Sequence, residues 1–376
     1  MARQIFMNAL ARKNPPGEFA LGTGTSIVCQ DLMRQTGAFF PEAHQDSETM
    51  ARLAIAGHTV LGLDVVMPLF SVCHEVAALG CNVDWGGVDA MPDCGKPIWS
   101  RAEDVRVPSD FLKHPACQTP LKAISLLKKR LGESAAVCGK VFGSWTLGYH
   151  LFGVENFLIG TLDDPDQTKR IIENLIPATV AFAKAQIDAG ADCILLADHA
   201  TRDLCSPAAY REFVMPLHAR LAKLIPAPVI LHICGNTSDR VAMIAQTGLA
   251  CFHWDTKTLQ IADCKLQIER QRKSKKASFV ASASSNLQSE ICNLKSVWAP
   301  PAQMRRLAGE RLSLMGGVSN LLLLNGKPEQ VTAQARQAAD GESTLSARSA
   351  PFRCARHWPT SRPSRRSERG KPMMLP

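Results

Sequence analysis

The sequence has no uninterrupted run of 18 apolar residues, so no transmembrane helix and no membrane partner are expected. Its opening residues lack the apolar core and small-residue cleavage site of a secretory signal, and a cytoplasmic location is the resulting expectation. Charged residues are few, at 20% against 46% hydrophobic, which is the balance of a globular protein with a sizeable core. Clustered cysteines are also missing. The 13 present are scattered over 376 residues, as buried thiols in a reducing compartment would be, and not spaced as a disulfide framework.

Net positive charge is missing from most of the chain despite a total of +9. Residues 259–300 carry net +4 and residues 341–376 net +6, which leaves the remainder close to neutral. The body is therefore neutral overall, a basic patch for phosphates is possible only at those two segments, and no nucleic-acid partner is expected.

What is present is alternation. Strand-like apolar runs occupy Asp64–Phe70, Ala136–Phe142, Asp192–Ala197, Pro228–Ile233 and Leu249–Trp254. Helical spacing fills Asp166–Ala189, Ser206–Leu224 and Thr237–Gln246, and Asp164-Pro165 and Ser206-Pro207 read as helix starts. Strands alternating with helices over some 300 residues predict an α/β fold with a parallel sheet, most economically a (β/α)8 TIM barrel. Chemistry in that fold sits where strands end, so polar residues closing the apolar runs are the candidates.

The sharpest is Leu231-His232-Ile233-Cys234-Gly235-Asn236. Residues two apart on a strand face one side, so His232 and Cys234 can point together into a barrel mouth. Imidazole plus thiolate suits zinc, although two core residues ending a strand is the bland alternative for so short a motif. Other polar strand ends are Asp198-His199, Asp255 after Phe252-His253-Trp254, and His74-Glu75 after Phe70. Any one could be a helix cap. Four together favour a functional mouth.

Several stretches resemble the methylcobamide:coenzyme M methyltransferase branch of the uroporphyrinogen decarboxylase superfamily. They are LHICGNT with the acidic Asp255 about twenty residues on, TGTSIVCQDLMRQTGAFFPEAH from Thr23 to His44, EVAALGCNVDWG from Glu75 to Gly86, GSWTLGYHLFG from Gly143 to Gly153, and GGVSNLLLLNGKPEQV from Gly316 to Val331. The resemblance covers roughly residues 3–257 and 303–340. It implies a TIM barrel, a zinc ion, and transfer of a methyl group from a methylated corrinoid carried by a partner protein to a small thiol such as coenzyme M. By motif, His232 and Cys234 are the first two zinc ligands and Asp255 the candidate further ligand. Glu75, Tyr149, Asp198 and His199 are candidates for the substrate pocket. A porphyrinogen-type decarboxylase is the alternative enzyme, weakened because Asn14-Pro-Pro-Gly-Glu-Phe19 lacks that group's arginine-bearing element. An inactive truncated relative is the alternative outside enzymes.

Two segments depart from the family. Residues 259–300, with the charge run Glu269–Lys276, read as an insertion in the barrel domain of residues 1–340. Residues 341–376 are rich in Arg, Ser and Pro and read as an aberrant, disordered tail that leaves the barrel's closing unit incomplete. The family's second ligating cysteine lies in a strand-end element resembling L-x-P-x-C-x-I-P, and none follows here. A shifted reading frame across Leu345–Arg353 permits Leu-Ser-Pro-Glu-Cys-Ala-Ile-Pro, with the cysteine codon overlapping those of Ser349 and Ala350. A frameshift near Asp340 is the reading this suggests.

Overall fold

A computed structural model describes residues 1–15, 17–254, 300–318, 320–343 and 352–353. Eight parallel strands form one sheet: β1 (Ala20–Leu21), β2 (Val65–Val66), β3 (Ala136–Phe142), β4 (Cys193–Ala197), β5 (Val229–Ile233), β6 (Cys251–Trp254), β7 (Ser313–Met315) and β8 (Phe352–Arg353). Their order is β1-β8-β7-β6-β5-β4-β3-β2, with helices in the connections, and the strands curl into a half-barrel. Next to β1 and β2, the Asp64 backbone N–H donates to the Leu21 carbonyl at 2.8 Å and the Leu21 N–H donates to the Asp64 carboxylate at 2.6 Å. The expected α/β class and parallel sheet are present.

The tail does contribute to the sheet, where no strand was read in its sequence. Phe352–Arg353 pairs with both β1 and β7. The rest of residues 344–376 lies outside the described residues, as does the expected insertion up to residue 299. The chain resumes at the helix Pro301–Ala308, which buries Met304 and Ala308.

Alternation along the strands splits the core in two. The inner cluster joins Val65, Met67, Ala136, Cys138, Cys193, Leu195, Ile230, Cys251 and Met315 to Phe6, Ala9 and Leu10 of the helix Ala2–Leu10. That helix plugs the end of the sheet where the strands begin. Asp192 pins it there, accepting from Arg3 at 2.9 Å, Lys128 at 2.7 Å and the Val137 N–H at 2.9 Å. The larger cluster lies between the sheet and the surrounding helices, among them Pro115–Leu131 and Pro165–Asp188.

Of the three expected helices, Pro165–Asp188 is capped by Asp164, whose side chain accepts from the Gln167 N–H. The segment from Ser206 to Leu224 is broken. A turn at Pro207–Ala209 and a wide π-type turn at Tyr210–Val214 precede the helix Met215–Leu224, because Pro216 lacks the N–H that an unbroken α-helix would use. Only Val241–Ile244 is helical within Thr237–Gln246.

Candidate functional site

Two residues beyond the inner apolar layer, the inner face turns polar. Lys140 follows Cys138 on β3, His232 follows Ile230 on β5, and His253 follows Cys251 on β6. The sheet register pairs His232 directly with His253. The two rings meet with Nδ1 to Nδ1 at 2.6 Å, and His232 Nε2 lies 2.9 Å from Cys234 Sγ. His232 is buried, whereas Cys234 is exposed at the strand's end.

Burial keeps both imidazoles neutral. It lowers His232 well below its ordinary value, helped by the nearby His253, Lys140 and His199, and it pushes His253 down to about 4. Lys140 is buried with its ammonium 3.3 Å from the Leu69 carbonyl. Burial pushes its pKa down to about 8, opposed by the negative potential of Glu75, Cys138 and Cys234. Glu75 moves the opposite way, up to about 8 by burial, while one of its oxygens accepts from the Phe142 N–H at 2.8 Å.

The predicted residues therefore separate. His232 and Cys234 converge, and His199 is exposed but close enough to act on His232 electrostatically. Tyr149 is buried, donating its hydroxyl to the His199 carbonyl at 3.2 Å and accepting from the Trp145 indole. Asp198 turns away from the mouth into the helix layer. There it accepts from the Thr146 N–H and hydroxyl, both at 2.8 Å, and meets His218 Nε2 at 3.1 Å. Asp255 lies outside the described residues.

Sequence reasoning passed over His253 and Lys140. Period-two counting back from the ends of β3 and β6 would have put both on the inner face. Their convergence on His232 depends on register between strands far apart in sequence. The loop after β1 closes over this group. A Cβ at Gly24 would overlap the His253 ring, so only glycine lets the backbone pass there.

Imidazole nitrogen and thiolate sulfur bound to one zinc at about 2.0–2.1 and 2.3 Å, at a tetrahedral angle, lie roughly 3.5 Å apart. The 2.9 Å separation opens to that with a small side-chain rotation, and burial holds the His232 imidazole in its neutral form. The pair thus fits as two of the three protein ligands that a catalytic zinc takes. Among the described residues no group of three or more His, Cys, Asp or Glu side chains is arranged to hold a metal.

The uroporphyrinogen decarboxylase family profile matches residues 2–347. The chain belongs to that family. Among its relatives is the methylated-thiol–coenzyme M methyltransferase of Methanosarcina mazei, 38% identical over 227 residues, which are 60% of this chain and 62% of that protein. This chain thus spans less than two thirds of that relative's length. The methylcobamide:CoM methyltransferase MtaA of Methanosarcina barkeri is 26% identical over 322 residues, 85% of this chain and 83% of that one. A uroporphyrinogen decarboxylase of Geobacter sp. (strain M21) is 24% identical over 242 residues, 58% of this chain and 68% of that protein. A solved methyltransferase structure from Methanosarcina mazei shares the fold with a TM-score of 0.75, at 23% identity over 90% of each chain. No described helix is long and apolar enough to cross a membrane.

Proposed function

We propose that this member of the uroporphyrinogen decarboxylase family is a corrinoid-dependent thiol methyltransferase with a zinc site at the end of β5, carried on a (β/α)8 barrel whose C-terminal closing unit is incomplete. It would take a methyl group from a methylated corrinoid protein and pass it to a small thiol such as coenzyme M, in the cytoplasm. The observation that carries the reading is the convergence of His232 Nε2 and Cys234 Sγ at 2.9 Å on the inner face of the sheet. The methyltransferase names among the relatives support the reaction class.

His232 and Cys234 would hold the metal, with Asp255 as a further ligand. Zinc, when bound, keeps a substrate thiol ionised at neutral pH. Lys140, buried beside the pair, adds positive potential where the substrate sulfur becomes negative. His199, exposed at the mouth, lines the approach. The attacking sulfur forms the new S–C bond, and the electron pair of the Co–C bond stays with the corrinoid.

The family pattern adds a second cysteine ligand, which the shifted frame near Asp340 would supply. The test expresses the chain in both forms, measures zinc per molecule, and assays methyl transfer from methylcobalamin to coenzyme M. Restoring the frame should raise both readings. If the chain with its present tail already binds one zinc and turns over as fast, the frameshift reading is wrong. If neither form binds zinc or methylates the thiol, the functional reading fails.

A further inference from the structure

His232 has two ring nitrogens, and the structure gives them different neighbours. Nε2 faces Cys234 Sγ at 2.9 Å, and Nδ1 faces Nδ1 of His253 at 2.6 Å. The two directions diverge across the imidazole, so a cation seated between Nε2 and the sulfur has His253 behind the ring and not beside the cation. A neutral imidazole carries one proton, on one nitrogen or the other. Only with that proton on Nδ1 does Nε2 turn a lone pair toward Cys234. An N–H···N bond to His253 selects that form.

We infer that His253 is a positioning residue: its Nδ1 accepts a hydrogen bond from His232 Nδ1–H, fixing the tautomer and ring orientation that present Nε2 beside Cys234 to a soft divalent cation. The inference takes its ligand from the zinc reading above. Two features hold the accepting ring in place. The β5–β6 register sets His232 opposite His253, and the backbone at Gly24 packs so closely on the His253 ring that a Cβ there would overlap it. Hydrogen-bonding partners behind a ligating histidine act in this way, and their loss typically weakens metal binding about 10- to 100-fold.

The test uses the full chain with 15N- and 13C-labelled histidine. In the metal-free protein, side-chain nitrogen shifts should show the His232 proton on Nδ1. His253→Phe keeps a ring but removes the acceptor, so His232 should become a mixture of tautomers and zinc affinity, measured against a competing chelator, should fall about 10- to 100-fold. His253→Asn sets an amide oxygen near the lost Nδ1 and should restore both readings.

A wild-type His232 protonated on Nε2 overturns the inference without any variant, even if His253→Phe fails to fold. So does a His253→Phe chain that keeps the Nδ1 tautomer and wild-type affinity. Should the wild type select the tautomer, and His253→Phe lose it, while no form binds zinc, the positioning role stands and the zinc reading falls.

Discussion

The ends of β4 and β5 lie side by side, both polar, yet they do opposite things. The backbone N–H of Asp198 donates to the His232 carbonyl, so the two are direct neighbours. Asp198 points outward, and its carboxylate serves Thr146 at the start of the helix Ser144–Phe152 and His218 on a later helix. A Cβ at Gly143 would overlap that carboxylate, so the helix start is built around it. His232 points inward, and Cys234 ends exposed. A polar residue closing a strand thus faces the helix layer or the inner side of the sheet according to its parity in the pleat.

The sharpest test of that contrast is to remove one residue from each side. Cys234→Ser should weaken zinc binding by more than the roughly 100-fold typical of losing an outer partner, and abolish detectable methyl transfer. Its urea-unfolding stability in the metal-free state should stay within about 1 kcal/mol of wild type, since an exposed side chain is changed. A large loss of stability there would place Cys234 in the structural class.

Asp198→Ala should do the reverse. It strands the Thr146 donors and His218 in a dry layer, at a cost of about 3–4 kcal/mol in urea unfolding. Zinc affinity in the protein that remains folded should be near normal. Weak binding with intact stability would move Asp198 to the mouth.

A smaller effect concerns the buried polar residues His44, on the short helix Glu42–Gln45, and His74 and Glu75, after β2. Burial pushes His44 down to about 4 and His74 down to about 3, both opposed to charge by the nearby Lys140. In the unfolded chain they regain values near 6.5, so between about pH 4 and 6.5 that chain holds more protons and stability rises with pH. Their contribution is complete above about pH 6.5 and is lost as the pH falls toward 4. Glu75, at about 8, acts oppositely, its contribution fading as pH rises from about 4.5 through 8. His44→Phe should therefore flatten the acid limb by about 1–2 kcal/mol between pH 7 and 5, read from unfolding midpoints at each pH. An unchanged limb would mean that His44 is protonated in the folded protein.

The smallest expected change comes from Gly24→Ala. The added methyl must displace the His253 ring or the loop backbone against it, and zinc affinity should fall by about 10-fold, the low end of what losing the His253 support would cost. Unaltered zinc affinity would show that the loop after β1 does not brace the site.

The strands long enough to carry a pattern were legible. β3, β4, β5 and β6 fall within the predicted apolar runs, because each is four or more residues long and mostly buried. β2, only Val65–Val66, also falls within the predicted run Asp64–Phe70, whereas β1, β7 and β8, of two or three residues, sit in no longer apolar run and were not read. The break before Met215 was legible in principle at Pro216, where the missing N–H interrupts the ladder. His232 and Cys234 were found because their relation is local, two residues along one strand. His253 and Lys140 were not, because they reach His232 across neighbouring strands.

By itself the sequence determined the α/β class, the parallel order implied by strand–helix alternation, and the pairing of His232 with Cys234. These follow from short-range periodicity, which every few residues restate. The tertiary structure alone decided that Asp198 braces the helix layer, that His253 backs His232, and that Gly24 closes on them. Each depends on register between strands and on which face a side chain takes, and a shift of one residue would reverse it.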